Sequence, residues 1–176
     1  MLRFRWLLCV VLAGAPVPAT AQAQTAAPAL SCAAGGSSSV EGVLRAVVGG
    51  ESVPAGFSLT YTEARPPQGS LRLSVHADGT VEQRAVGEPA RPPGQVTPWE
   101  WRKLAARLVL GKLWQQRTPA PDKAVPDKAA PDAGRTTLTL RCGDHVSEVW
   151  EWTDELVGNG RLIRVGEALR EVAGTP

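Results

Sequence analysis

Residues 57–80 read FSLTYTEARPPQGSLRLSVHADGT, and two alternations within this stretch decide the fold. Phe57, Leu59 and Tyr61 point to one side of an extended chain, while Ser58, Thr60 and Thr62 point to the other. Leu71, Leu73 and Val75 repeat the pattern, with Arg72, Ser74 and His76 opposite. A period of two is that of a half-buried strand. The cluster Arg65-Pro66-Pro67-Gln68-Gly69 separates the two runs, and Asp78-Gly79 is a two-residue hairpin signal leading into Thr80–Val86. The expectation is a three-stranded antiparallel meander with one apolar face, and such a face needs a cover.

Downstream, Thr97-Pro98-Trp99-Glu100 sets Thr at the N-cap, Pro in the first turn and Glu at the third helical position. Trp101, Leu104, Ala105 and Leu108 follow at helical spacing, which predicts a helix over 98–110 with Gly111 in the left-handed position just beyond it. A second hairpin is expected from Thr137–Cys142, with Leu138, Leu140 and Cys142 opposite Thr137, Thr139 and Arg141. It turns at Gly143-Asp144 and returns along Val146–Trp152. A last helix is expected from Arg161 to Ala173, with Leu162, Val165, Leu169 and Val172 on one stripe and Asn159 or Asp154 as its cap. The fold class is therefore α+β: an antiparallel sheet of four to five strands with two helices packed on one face. Leu73, Val75, Leu104, Leu108 and Leu140 are its expected core.

Before this domain, Arg3 and Arg5 precede an apolar run from Trp6 to Ala15, Pro16 and Pro18 interrupt it, and small residues follow. This is the layout of a bacterial-type signal peptide over residues 1–23, cleaved after Ala21 or Ala23. The apolar run is too short to span a bilayer, which takes roughly 20 residues. Cys9 lies inside that run and Cys32 far beyond it, so neither has the spacing of a lipid-modified cysteine. The expectation is a periplasmic or secreted protein without a membrane span. Residues 24–54 read as a flexible lead-in containing one ambiguous short element: VEGVLRAVV at 40–48 suits a strand or a short helix capped by Ser38, with Glu41 three residues on. The single domain runs over 55–176. It contains a Pro/Asp/Lys/Ala-rich loop at 119–134 whose period of five marks a solvated expansion rather than a solenoid repeat.

The whole chain has 19 Lys and Arg against 17 Asp and Glu. Removing Arg3 and Arg5 with the signal leaves the charges balanced, and no basic block remains to release counterions from a polyanion. Nucleic acid is thus not an expected partner. Cys32 and Cys142 are the mature cysteines. In an oxidising compartment they suggest one disulfide, closing a loop of about 110 residues worth roughly 4–5 kcal/mol in the chain-entropy picture. The other reading has Cys142 as a buried thiol and Cys32 on a mobile tail.

Catalytic signatures are not apparent. His76 and His145 are the two histidines, and Cys142-Gly-Asp-His145 is half a metal site without a second pair at ligand spacing. Gly35-Gly-Ser-Ser-Ser39 is linker composition, not a nucleophile elbow. No phosphate loop or dinucleotide fingerprint occurs. Hence no enzyme is expected, with no catalytic or metal-binding residue and no cofactor. Tryptophan usage stands out: Trp99, Trp101, Trp114, Trp150 and Trp152 remain after processing. Trp99 and Trp101 lie roughly 200° apart around a helix, so Trp101 should join the apolar stripe, and Trp99 either faces solvent or folds back as a staple over the helix start. Trp150 and Trp152 share one side of their strand. Trp99, Trp150 and Trp152 are therefore the candidate binding surface.

The strand pair Phe57–Gly79, the Thr97-Pro-Trp-Glu helix start, Leu104–Trp114, the Thr136-Thr-Leu-Thr-Leu hairpin and the final helix resemble a family of uncharacterised exported bacterial domains built as hairpin, helix, hairpin, helix. The resemblance covers about residues 55–173. Where many members carry a Cys-Pro segment between the first strands, this chain has Ala64-Arg-Pro-Pro-Gln-Gly69. The layout is also similar to emfourin-type inhibitors of thermolysin-like metallopeptidases, which implies a loop that blocks a protease cleft. The expected function is an exported, non-catalytic binding or envelope-associated domain whose partner is a protein or envelope component. The alternatives are an inhibitor with a peptidase as partner, and an enzyme of unrecognised type.

Overall fold

The computed structural model describes residues 30–33, 38–65, 67, 69–89, 91–115, 134–153 and 155–174. The signal peptide expected over 1–23 and the 119–134 loop, apart from Gly134, lie outside these described residues.

The meander forms as the alternation dictates. Strands β1 (Phe57–Arg65), β2 (Gly69–His76) and β3 (Thr80–Ala85) pair antiparallel, Leu59 opposite Val75 and Leu73 opposite Gln83. At the β2–β3 turn the Asp78 carboxylate accepts from the Thr80 N–H at 2.9 Å, which holds its carboxyl below the usual range. A two-residue strand, β4 (Gly94–Gln95), runs beside β3, pinned by the Gln95 amide donating to the Asp78 carbonyl at 2.7 Å. The second hairpin is β5 (Arg135–Cys142) and β6 (His145–Trp152). It joins the meander through β5, which pairs antiparallel with β1 from Phe57–Cys142 to Ala64–Arg135. The result is one six-stranded sheet in the order β4-β3-β2-β1-β5-β6. The strand count thus exceeds the expected four to five because β4 carries no apolar pattern to announce it.

Among the described residues three helices, not two, cover one face. Residues 40–48 resolve as α1 (Val40–Gly49), with Ser39 rather than Ser38 as cap, accepting from the Gly42 N–H. Val40, Val43, Leu44 and Val47 are all buried at helical spacing, so this segment belongs to the core and the folded unit begins before residue 55. α2 (Pro98–Gly111) starts with the full capping box. The Thr97 backbone N–H and hydroxyl both donate to the Glu100 carboxylate, and these bonds hold its pKa below the ordinary value. Its end departs from expectation: Gly111 stays helical and Lys112 takes the left-handed conformation at φ 47°. α3 (Gly160–Val172) is capped by Asn159, whose side chain accepts from the Leu162 N–H at 3.2 Å. α2 touches both α1 and α3. Arg161 donates to the Gly111 carbonyl, tying the start of α3 to the end of α2.

Between the layers lie Phe57, Leu59, Tyr61, Leu73, Val75, Leu138 and Leu140 from the strands and Trp101, Leu104, Leu108, Leu162, Val165 and Leu169 from the helices, each at most 3 % exposed. Trp101 meets Phe57 edge-on, with ring centroids 6.0 Å apart. The Tyr61 ring lies so close to α3 that a Cβ on Gly166 would come within 2.7 Å of its hydroxyl oxygen. A glycine in mid-helix weakens the helix locally, and here it admits an aromatic ring against the backbone. Next to Tyr61, Glu63 continues the inward parity and is 5 % exposed; it pairs with Arg170 of α3, whose guanidinium also stands 5.6 Å from the Tyr61 ring centroid.

Cys32 and Cys142 form a disulfide across a sequence separation of 110. The reading in which Cys32 sits on a mobile tail is set aside: Cys32 is 3 % exposed and belongs to the core. Its backbone runs against the β5–β6 turn. A Cβ on Gly143, which sits at φ +57°, would approach the Cys32 and Ala33 carbonyls to 2.8 Å. No helix among the described residues is long and apolar enough to cross a membrane.

Candidate binding face

With the described helices on one side, the other face of the sheet is open, and the strand registers fix what stands on it. Reading across β2, β1, β5 and β6, one row holds His76, Ser58, Arg141 and Val146. The next holds Ser74, Thr60, Thr139 and Glu148, with Glu82 of β3 at its outer end. A third holds Arg72, Thr62, Thr137 and Trp150, with Arg84 of β3 beyond Arg72. A fourth holds Ser70, Ala64, Arg135 and Trp152. These rows form a hollow of about 600 Å³. Its floor is made of Ser and Thr hydroxyls, and four arginines stand around it.

The floor is built by cross-strand pairing. Thr60 lies opposite Thr139, Thr62 opposite Thr137, and the Thr60 and Ser74 hydroxyls are 3.3 Å apart. Thr is favoured on strands for its branched Cβ, and Thr–Thr and Thr–Ser pairs add modest stability. The charges are only partly compensated. Arg84 reaches Glu82 at 3.3 Å, Arg135 reaches Glu148 at 3.6 Å, and His76 Nε2 lies 3.8 Å from Glu82. Among the described residues, Arg72 and Arg141 have no acidic partner, and both are exposed.

No protein-family model and no curated protein matches the chain.

The candidate tryptophans do not make one surface. Trp99 is 62 % exposed at the start of α2, in the helix layer, with the Lys103 ammonium 5.9 Å from its ring. Trp150 and Trp152 are on the opposite, open face of the sheet, as their pairing with Thr137 and Arg135 requires. There they pack on each other edge-to-face at 5.4 Å. Arg135 covers the Trp150 ring at 4.9 Å, leaving that side chain only 9 % exposed. Trp150 is thus a wall of the face rather than an offered ring. Trp114 is structural as well: its indole donates to Glu41 of α1 at 3.1 Å.

The other candidates separate. Cys142 is committed to its disulfide, so the Cys142-Gly-Asp-His145 run cannot supply a thiolate ligand. His76 lies at the rim of the open face and His145 on the β5–β6 turn. Among the described residues no group of three His, Cys, Asp or Glu is arranged to hold a metal ion. The hydroxyl-and-arginine floor was not singled out from the sequence. Its only signal was the polar half of each alternation.

Proposed function

We propose that this chain is an exported binding domain with no chemistry of its own, which meets a protein or envelope partner on the open face of its sheet. One observation carries the reading: among the described residues, Arg72 and Arg141 stand without acidic partners above a floor of paired hydroxyls. A wet face on an antiparallel sheet is ordinary. A hollow with uncompensated guanidinium groups presents donors suited to planar anionic groups. Export rests on the Arg3–Ala23 signal pattern. The resemblance to metallopeptidase inhibitors makes a secreted peptidase one form that partner can take.

The test is capture from envelope extract and culture fluid by the immobilised mature chain, compared with two variants. Arg72→Glu with Arg141→Glu is expected to lose the partner, and Trp99→Ala, on the opposite layer, to keep it. Capture indifferent to the arginine reversal would overturn the assignment of this face. Inhibition of a thermolysin-like peptidase that is lost in the same reversal variant identifies the partner as a peptidase.

A further inference from the structure

The two uncompensated arginines define a line. Arg72 is on β2 in the row of Thr62, and Arg141 is on β5 in the row of Ser58. They are therefore four residues apart along the strands and two strands apart across them, a Cα separation of about 17 Å at ordinary strand spacings. Thr60 of β1 occupies the midpoint of that diagonal, its hydroxyl in contact with Ser74. The other two corners are His76 and Thr137, while the ion pair Glu82–Arg84 lies on β3 beside Arg72 and Glu148–Arg135 joins β6 to β5. The guanidinium groups without an acidic partner among the described residues are thus the two ends of one diagonal, and the other two arginines of the face are paired with glutamates.

A lone phosphate or other compact dianion would reach both guanidinium groups only if the two side chains turned inward from Cα positions about 17 Å apart. A polysaccharide or single-stranded nucleic acid would gain from an open aromatic plane to stack on. The aromatic ring nearest the floor, Trp150, is closed off by Arg135 and Trp152. An extended polypeptide fits what remains. Carboxylates four residues apart on such a chain lie about 14 Å apart and on the same side, and those six apart lie about 20 Å apart. Arginine side chains are long enough to take up the difference, and the Thr60 hydroxyl can serve the peptide backbone between them.

Resting on the open-face reading above, we propose that the occupant is an acidic polypeptide segment. Two of its carboxylates, four or six residues apart on one side of an extended stretch, are held by Arg72 and Arg141 across Thr60.

The probe is a fluorescein-labelled, end-blocked Ser/Thr peptide of about twelve residues with two glutamates four residues apart, titrated by anisotropy against the mature chain. Arg72→Gln and Arg141→Gln are each expected to weaken binding roughly tenfold, the scale of one charge-assisted bond. A control peptide with its glutamates on adjacent residues, and so on opposite sides, should weaken to a similar degree. Both arginines are exposed, so urea melts of the variants should match the parent. Equal binding of the two peptides, or indifference to either arginine, overturns the proposal. So does preferential binding of polygalacturonate through the same two arginines, which would make the occupant a polysaccharide. If the native partner is lost on arginine reversal while the acidic peptides fail to bind, this proposal falls and the open-face assignment stands. If capture ignores the reversal, both fall.

Discussion

Replacing both Cys32 and Cys142 with alanine removes the covalent link between the segment preceding α1 and the end of β5. The bond closes a span of 110 residues. In the chain-entropy picture, a loop of that length restricts the unfolded chain by about 5 kcal/mol at 25 °C. Domains of this size are stable by only about 5–15 kcal/mol, so the bond accounts for a third or more of the total. For about 150 residues, each kcal/mol moves Tm by roughly 2–4 °C, and the variant should melt about 10–20 °C lower. Alanine is the right replacement because both cysteines are buried and a serine hydroxyl would add a desolvation cost of its own. Urea melts of the oxidised protein, the reduced protein and the double variant measure the effect. The latter two should agree and lie well below the first. Because both sulfurs are enclosed in the core, dithiothreitol should reduce the bond slowly in buffer and quickly in urea. A gap under about 1 kcal/mol would refute the reasoning, since the loop would then hardly be restrained in the unfolded chain or the bond not be formed.

Two further substitution sets probe the layers. Trp101 is 3 % exposed and packed on Phe57, whereas Trp99 is 62 % exposed. Trp101→Ala should therefore cost about 3–5 kcal/mol in urea melts and Trp99→Ala less than about 0.5, and comparable losses would mean that α2 is docked differently. Glu63→Ala strands Arg170 in a partly buried site and should cost about 3 kcal/mol, while Glu63→Leu combined with Arg170→Met should recover most of it. A double-mutant cycle showing simple additivity would remove the pair from the account of the core.

The elements legible in the sequence were those whose periodicity and end signals agreed. The run 57–80 alternates over two strands and closes with Asp78-Gly79, and α2 begins with Thr97, Pro98 and Glu100 in register. The segment 40–48 was ambiguous because three valines among its first eight residues favour a strand while their spacing favours a helix. Packing against α2 and the Ser39 cap decide for the helix, a tertiary effect that no local pattern contains. At the end of α2, Gly111 looked like the left-handed residue, yet the helix carries it one position further and Lys112 takes the strained conformation. β4 was invisible for a plainer reason: two residues held by the Asp78 and Gly79 turn have no periodicity to read.

The candidate site was hidden by a different cause. Strand parity separated Ser58, Thr60 and Thr62, Arg72, Ser74 and His76, and Thr137, Thr139 and Arg141 from their apolar neighbours, as the registers bear out, while Glu82, Arg84, Arg135 and Glu148 went unassigned. Parity assigns a face, but it says nothing about which strand lies beside which. The face exists because β5 pairs with β1, bringing Thr139 opposite Thr60 and Arg141 opposite Ser58 across roughly eighty residues of sequence. Until that pairing is known, the chain shows two hairpins with unremarkable wet sides. Once it is known, hydroxyls from separate hairpins become one floor and the two uncompensated arginines become two ends of one diagonal. The tryptophans drew attention first because large aromatics are conspicuous in a sequence. In the fold, Trp101 and Trp114 serve the helix layer and Trp150 walls the open face. Recognition in a sheet of this kind should therefore be sought in the cross-strand rows of small polar residues that a new strand pairing creates, and the aromatics read by what covers their rings.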